Sequence, residues 1–179
     1  LILGSFVAVT LTGQYSTVDL AGMAMGYNLW VAAFFGLTGI LLGVTPIVSH
    51  ALGAKKTESI ASIMWQNVYL GLIFATGLIV ATLMGLSPLL DILGIEPAAK
   101  TVCLQYMYAM CVAFPAMMIM SAFRYIVDAH GNTQYSLYII SSSVLIQSIG
   151  NAIFIPGLGP IPALGGFGAG IATVIAYWY

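Results

Sequence analysis

Long apolar stretches, interrupted only by short polar seams, constrain this chain more than any other feature of its sequence. Of its 179 residues, 61% are hydrophobic and only 5% are charged, and the mean hydropathy is +1.05. A soluble domain carries about 25% charged residues, so most of this surface cannot face water. The few charged side chains cluster at the seams and block ends, which is the layout of a polytopic membrane protein.

Six apolar blocks predict an all-α membrane bundle of about six transmembrane helices. A helix needs about 20 apolar residues to cross the hydrocarbon core, so the longest blocks must tilt, kink or project into water. The period-two alternation of barrel strands is absent. We expect residues 1–179 to form a single transmembrane lobe, cut at both ends from a longer protein. The blocks are 1–13, 18–52, 58–90, 97–129, 133–156 and 164–179.

The basic pair Lys55–Lys56 sets the expected orientation of these blocks in the membrane. Lysine and arginine are enriched in cytoplasmic loops, so the seam at residues 53–57 is predicted to be cytoplasmic. The turn at 130–133 then returns to the cytoplasmic side, and the Pro- and Gly-rich loop at 156–168 lies outside. The charged residues expected at the outer side are Asp19, Asp91, Glu96 and Lys100. Lys100 is the exception, because it is basic and the other three are acidic.

The sequence carries no pattern for enzyme chemistry, a metal or nucleic acid. It contains no H-E-x-x-H, no G-x-S-x-G and no phosphate-binding loop. His50 and His130 are far apart, and Cys103 and Cys111 share one apolar block without metal-ligand or redox spacing. A net charge of −1 offers no basic surface to nucleic acid. We therefore expect a protein that is not an enzyme and has no metal site.

Polar side chains inside the apolar blocks are the best candidates for function, because burying an amide without a partner is costly. Gln147 and Asn151 are spaced i, i+4, so both amides face one side of the fifth predicted helix. Asn28 and Tyr106 add polar points in the second and fourth blocks. Together they predict a cavity for a polar or cationic ligand or, as the alternative, hydrogen bonds that hold the helices together.

Two prolines and one ion pair are candidates for conformational change. Pro46 lies in the last turns of the second block and Pro115 in the middle of the fourth, and proline bends a membrane helix. Arg124 and Asp128 are spaced i, i+4, and a charge at membrane depth is normally paired. The pattern predicts hinges, or packing irregularities, at the prolines. It predicts a structural or gating ion pair at Arg124 and Asp128.

Several short motifs, taken in their order along the chain, resemble those of one transporter family. They are Q-Y-S-T-V-D-L-A-G at 14–22, G-x-T-P-I-V at 43–48, Gly53-Ala54, Phe114-Pro115, Arg124, Gly131-Asn132-Thr133, Asn151, and L-G-G-x-G-x-G-x-A-T at 164–173. Each motif is modest alone. Their order and spacing together resemble the multidrug and toxic compound extrusion (MATE) transporters, in the NorM-like branch.

The resemblance implies a twelve-helix antiporter of two six-helix lobes, with this chain as the amino-terminal lobe and a carboxy-terminal lobe as its partner. Members of the family exchange bulky, often cationic drugs for protons or sodium ions, so a coupling ion is expected and no other cofactor. Gln147 and Asn151 fall where the family's fifth helix offers polar residues to the cavity. The family's first helix usually carries a V-D pair, and this chain has Val7-Ala8 instead.

Two other functions stay open on the residues alone. A flippase for a lipid-linked glycan precursor has a similar build but would carry cationic residues in its cavity, and Arg124 is the only lysine or arginine outside the seams and the first turns of the apolar blocks. A membrane scaffold subunit needs no inward-facing amides, so Gln147 and Asn151 count against it. We expect a cation-coupled exporter of small organic cations, embedded in the lipid bilayer of a cell membrane, specifically a bacterial inner membrane.

The orientation can be tested by cysteine labelling at position 56. In a full-length protein whose native cysteines are replaced, Lys56→Cys should react with a membrane-impermeant thiol reagent only after the cells are permeabilised, because the basic seam is cytoplasmic. Glu96→Cys, from a seam predicted to be outside, is the matched control and should react in intact cells. Labelling of position 56 in intact cells would overturn the orientation.

Overall fold

Helices form nearly all of this chain in its computed structural model, which describes residues 2–131, 133–157 and 162–179. Within those ranges there is no strand, so the predicted all-α fold is confirmed. Asn132 of the predicted cytoplasmic turn and residues 158–161 of the predicted outer loop lie outside the described residues. The helices are α1 (Ile2–Tyr15), α2 (Thr17–Leu42), α3 (Val44–Gly53), α4 (Glu58–Ile92), α5 (Pro97–Ala129), α6 (Thr133–Phe154) and α7 (Gly165–Trp178).

The helices follow the six apolar blocks, because α2 and α3 together correspond to the second block. Four segments of the described chain are long and apolar enough to cross a membrane, with α2 and α3 counted as one. They are Thr17–Gly53, Glu58–Ile92, Pro97–Ala129 and Thr133–Phe154. The shorter helices α1 and α7, of 14 residues each, complete the six segments.

The second segment breaks at Gly43, between α2 and α3. Pro46 has no N–H, so the carbonyl of Leu42, four residues earlier, lacks its helical donor. The N–H of Gly43 donates to the Ile40 carbonyl at 3.1 Å, which is a tighter turn than the α-helical ladder. The over-long block is therefore accommodated as two helices. A hinge function at Pro46 stays a prediction.

Helix α5 is the centre of the bundle and packs against α2, α4 and α7. Its fully buried side chains include Cys103, Met110, Phe114 and Met117, which recur three, four or seven positions apart along the helix. Such a spacing keeps them on neighbouring faces, where the surrounding helices cover them. The helix continues through Pro115 without a break. A bend or hinge at Pro115 stays a prediction.

Asp19 ties together the ends of α1, α2 and α7 at the predicted outer side. Ser16 caps α2 by accepting the N–H of Asp19 at 3.2 Å. The carboxylate of Asp19 accepts the N–H of Gly166 at 3.0 Å, at the start of α7. The preceding Gly165 has φ +52°, and a Cβ at that position would collide with the Asp19 carboxylate. Asp19 thus caps a helix distant in sequence, at the terminus where a negative charge is favourable.

Lys100 is the one basic residue expected at the outer side, and it forms an ion pair with Asp91. Its ammonium group lies 2.5 Å from the carboxylate of Asp91, which joins the end of α4 to the start of α5. The side chain of Asp91 is 65% exposed, so this pair contributes little to stability. The basic charge therefore does not contradict the predicted orientation.

Removing the carboxylate of Asp19 should destabilise the bundle. Asp19→Ala leaves the N–H of Gly166, at the start of α7, without its acceptor, and loss of a helix cap costs about 0.5–2 kcal/mol. Asp91→Ala is the matched control, because it removes an exposed carboxylate at the same side. Thermal unfolding in detergent, followed by circular dichroism, should show a clear loss for the first variant only. Equal losses in both variants would contradict the capping role.

Candidate functional site

A cavity of about 530 Å³ opens among α1, α2, α5, α6 and α7. This volume is in the range of small-molecule sites in proteins. None of the sixteen described residues that line it carries a formal charge. Its walls are aromatic and aliphatic side chains with a few hydroxyl and amide groups, so it can hold an apolar ring system and orient it by hydrogen bonds.

Aromatic side chains of α2 form one wall. Tyr27, Trp30 and Phe34 follow each other at helical spacing, and their rings meet edge to face, with centroids 5.5 Å and 5.6 Å apart. Phe35 extends the series, with its ring centroid 5.8 Å from that of Phe34. Edge-to-face pairs hold each ring in one orientation. The wall therefore presents fixed ring surfaces to a ligand.

Tyr106 faces this wall from α5. Its hydroxyl oxygen accepts the indole N–H of Trp30 at 3.0 Å, and both side chains are buried. A Cβ at Gly26 would lie 2.8 Å from the Tyr106 ring, and one at Gly170 would lie 3.5 Å from it. The absence of a side chain at Gly26 therefore makes room for the ring beside α2, whereas the distance at Gly170 is an ordinary contact. Tyr106 lines the cavity, and its role in binding a ligand stays a prediction.

Gln147 and Asn151 take different places although they share a helix face. Gln147 lines the cavity, and its amide N–H donates to the hydroxyl of Thr173 on α7 at 2.9 Å. Asn151 is fully buried outside the cavity lining, where its amide donates to the carbonyl of Gly4 on α1 at 3.4 Å. One turn of α6 thus divides the predicted pair into a cavity residue and a helix-packing residue.

Two further groups complete the polar lining. Asn28 lies on the exposed side of α2 and lines the cavity, and its role in binding a ligand stays a prediction. Ser5 on α1 donates its hydroxyl to that of Tyr27 at 2.8 Å, which connects α1 to the aromatic wall. Ala8, the residue at the position of the family's usual acid, is buried and also lines the cavity. A carboxylate at position 8 would therefore enter this space.

The predicted ion pair of α5 is confirmed, with Arg124 Nε and Asp128 Oδ2 3.9 Å apart. The other carboxylate oxygen of Asp128 accepts the hydroxyl of Ser136 at 2.6 Å, so the pair joins α5 to α6. Arg124 also lines a small neighbouring cavity of about 40 Å³. That cavity shares with the large one the residues Phe34, Gln147 and Tyr177. A gating role for the pair stays a prediction.

Some cavity residues escaped the sequence analysis. Trp30 and Thr173 look like ordinary members of apolar helices, and their partners Tyr106 and Gln147 lie on other helices far away in the chain. The spacing of Tyr27, Trp30 and Phe34 is a visible signal, but aromatic stripes also occur where helices face lipid. Met23 also lines the cavity, whereas Met117 and Met118 are fully buried in the core.

Known proteins resemble this chain over nearly its whole length. A family model described as MatE matches residues 1–153. A probable multidrug resistance protein NorM of Oceanobacillus iheyensis is 36% identical over 174 residues, which are 97% of this chain and 39% of the relative. A protein of the same description from Streptococcus pneumoniae is also 36% identical, over 97% of this chain and 38% of its own length.

Solved structures show the same fold at lower identity. A MOP superfamily transporter from Pyrococcus furiosus superimposes with a TM-score of 0.89 and 16% identity, over 99% of this chain and 38% of that one. The inward-facing conformation of a multidrug resistance MATE family transporter gives 0.86 and 17%, over 98% and 39%. The chain thus spans less than half the length of the proteins it matches.

Proposed function

The chain belongs to the MatE family, whose members are transporters and not enzymes, and we propose that it forms the amino-terminal lobe of a cation-coupled antiporter that exports drugs and other bulky organic cations. The support for this proposal is the uncharged cavity of about 530 Å³, which combines ring surfaces with hydroxyl and amide groups. The curated relatives described as probable multidrug resistance proteins favour the same substrates.

The full transporter requires a second lobe in this proposal. The chain covers only 39% of the relative from Oceanobacillus iheyensis, which leaves room for a carboxy-terminal lobe of similar size. The apolar length of its helices supports a multi-pass membrane protein, and we place it in a bacterial inner membrane with Lys55–Lys56 on the cytoplasmic side. Substrates would bind where the cavity faces the second lobe.

The coupling ion in this proposal is a proton or a sodium ion. No carboxylate is among the described residues that line the cavity, and Ala8 stands at the position where the resemblance leads one to expect an acid. The groups that bind the coupling ion are therefore expected in the second lobe. The lobe described here would contribute drug contacts more than ion binding.

The uncharged lining also weighs against the flippase alternative. A lipid-linked glycan precursor carries phosphate groups, and arginine or lysine is the usual partner for phosphate. Arg124 is close to the cavity but lies in the smaller neighbouring space, paired with Asp128. An uncharged aromatic site fits an organic drug better than an anionic precursor.

Replacing Gln147 tests whether the cavity binds drugs. Gln147→Leu in the full-length protein removes a cavity amide, and we expect at least a several-fold loss of drug resistance in cells with unchanged protein abundance. Gln134→Leu, an exposed position at the start of the same helix, is the control and should keep resistance. If the Gln147 variant kept the resistance of the parent, this amide would serve only to join α6 to α7.

Introducing an acid at position 8 tests where coupling resides. Ala8→Asp would add the only carboxyl group to the described cavity lining, and charges at membrane depth are retained chiefly for function. Drug efflux should then depend more steeply on pH or sodium concentration than in the parent. Ala8→Asn has similar size without the charge and controls for packing. If a well-expressed Asp variant kept the parental pH and sodium profiles, position 8 would have no part in coupling.

A further inference from the structure

The hydrogen bond between Trp30 and Tyr106 restricts what this cavity can bind. An indole N–H can only donate, so the phenol oxygen of Tyr106 must be the acceptor in this 3.0 Å bond. The single O–H hydrogen of Tyr106 is then left for another acceptor. Among the described residues Tyr106 makes no further hydrogen bond, although its side chain is only 3% exposed.

A buried hydroxyl hydrogen without an acceptor is unfavourable, and Tyr106 borders a space large enough for a ligand. Tyr106 lines the cavity of about 530 Å³. Its ring lies so close to the backbone of α2 that a Cβ at Gly26 would be 2.8 Å away from it. Trp30 fixes the position of the oxygen, so the donor is oriented before a ligand arrives. Such preorganisation lowers the entropic cost of binding.

Two other hydrogen-bond donors of the cavity are already engaged within the protein. The amide N–H of Gln147 is already used by Thr173, and the hydroxyl of Ser5 by Tyr27. No described lining residue is charged, so none attracts a cation by an ion pair. The ring surfaces of α2 favour a flat aromatic skeleton. These features complement a planar compound that presents an oxygen acceptor.

We propose that Tyr106, positioned by Trp30, is a specificity-determining hydrogen-bond donor that selects planar aromatic compounds bearing a carbonyl or carboxylate oxygen. The proposal rests on the proposed drug-binding function of the cavity and names the substrate class more narrowly. Planar aromatic cations without an oxygen acceptor bind the same space through ring contacts alone. They gain nothing from the Tyr106 hydroxyl.

Two ligands with one ring skeleton separate these cases. N-methylacridone has a ring carbonyl, and N-methylacridinium has the same three rings without it. Both are fluorescent, so their Kd values can be measured by titration into the purified full-length protein in detergent. Tyr106→Phe should weaken N-methylacridone about 3- to 10-fold, the usual effect of losing one neutral hydrogen bond. Binding of N-methylacridinium should stay within about 2-fold of the parent, since this ligand makes no such bond.

Tyr108→Phe is the matched control, because it removes a phenol two residues away that does not line the cavity and is 43% exposed. It should leave both Kd values unchanged. Trp30→Phe tests the positioning role and should lower the preference for N-methylacridone in the same direction as Tyr106→Phe. If the Tyr106 variant does not accumulate as folded protein, Trp30→Phe is used for the test in its place.

The outcomes separate this inference from the function on which it rests. A parent that binds neither ligand overturns the proposed drug-binding function and the inference with it. A parent that binds both, with equal fold-changes or none in the Tyr106 and Trp30 variants, overturns only the inference. A selective loss of N-methylacridone binding supports it, because damage to the packing would weaken both ligands alike.

Discussion

Saturation of backbone hydrogen bonds within each segment is the constraint on which this structure depends. The hydrocarbon core supplies no partners for N–H and C=O groups, so an apolar chain that crosses it must form helices. The interruption of the second segment follows the same rule. Pro46 lacks an N–H donor, and near it the N–H of Gly43 donates to the Ile40 carbonyl in a tight turn. The break lies three residues before Pro46, whereas α5 accommodates Pro115 without one.

Close approach to α5 is the next requirement, and small residues provide it. A Cβ at Gly22 would lie 2.5 Å from the Ala99 carbonyl oxygen, and one at Gly166 would lie 2.6 Å from the Val102 side chain. Because lipid and side chain are equally apolar, such contacts between helices gain stability from packing and not from the exclusion of water. The same close packing seats the Tyr106 ring and leaves the cavity beside it.

The cavity combines fixed aromatic rings with hydroxyl and amide groups and has no charge in its described lining. Charged residues lie instead at the ends of the bundle, where Asp19 caps α7 and Asp91 pairs with Lys100. Arg124 and Asp128 form their own pair beside a smaller space. Ring surfaces and polar groups thus line the cavity, and the ion pairs and the cap lie outside its lining. Ala8 lies in that lining and adds no charge to it.

The sequence by itself determined the membrane class, the six apolar segments, the MATE resemblance and the Arg124–Asp128 pair, because each depends on composition or on neighbours within one helix. It also identified Gln147, Tyr106 and Asn28 as polar residues of an interior space. Only the tertiary structure separated Gln147 from Asn151, joined Trp30 to Tyr106 and placed Asp19 at the start of α7. Those contacts link residues from 26 to 147 positions apart. Helix periodicity fixes which face a side chain occupies, but the rotation and separation of whole helices decide what that face meets.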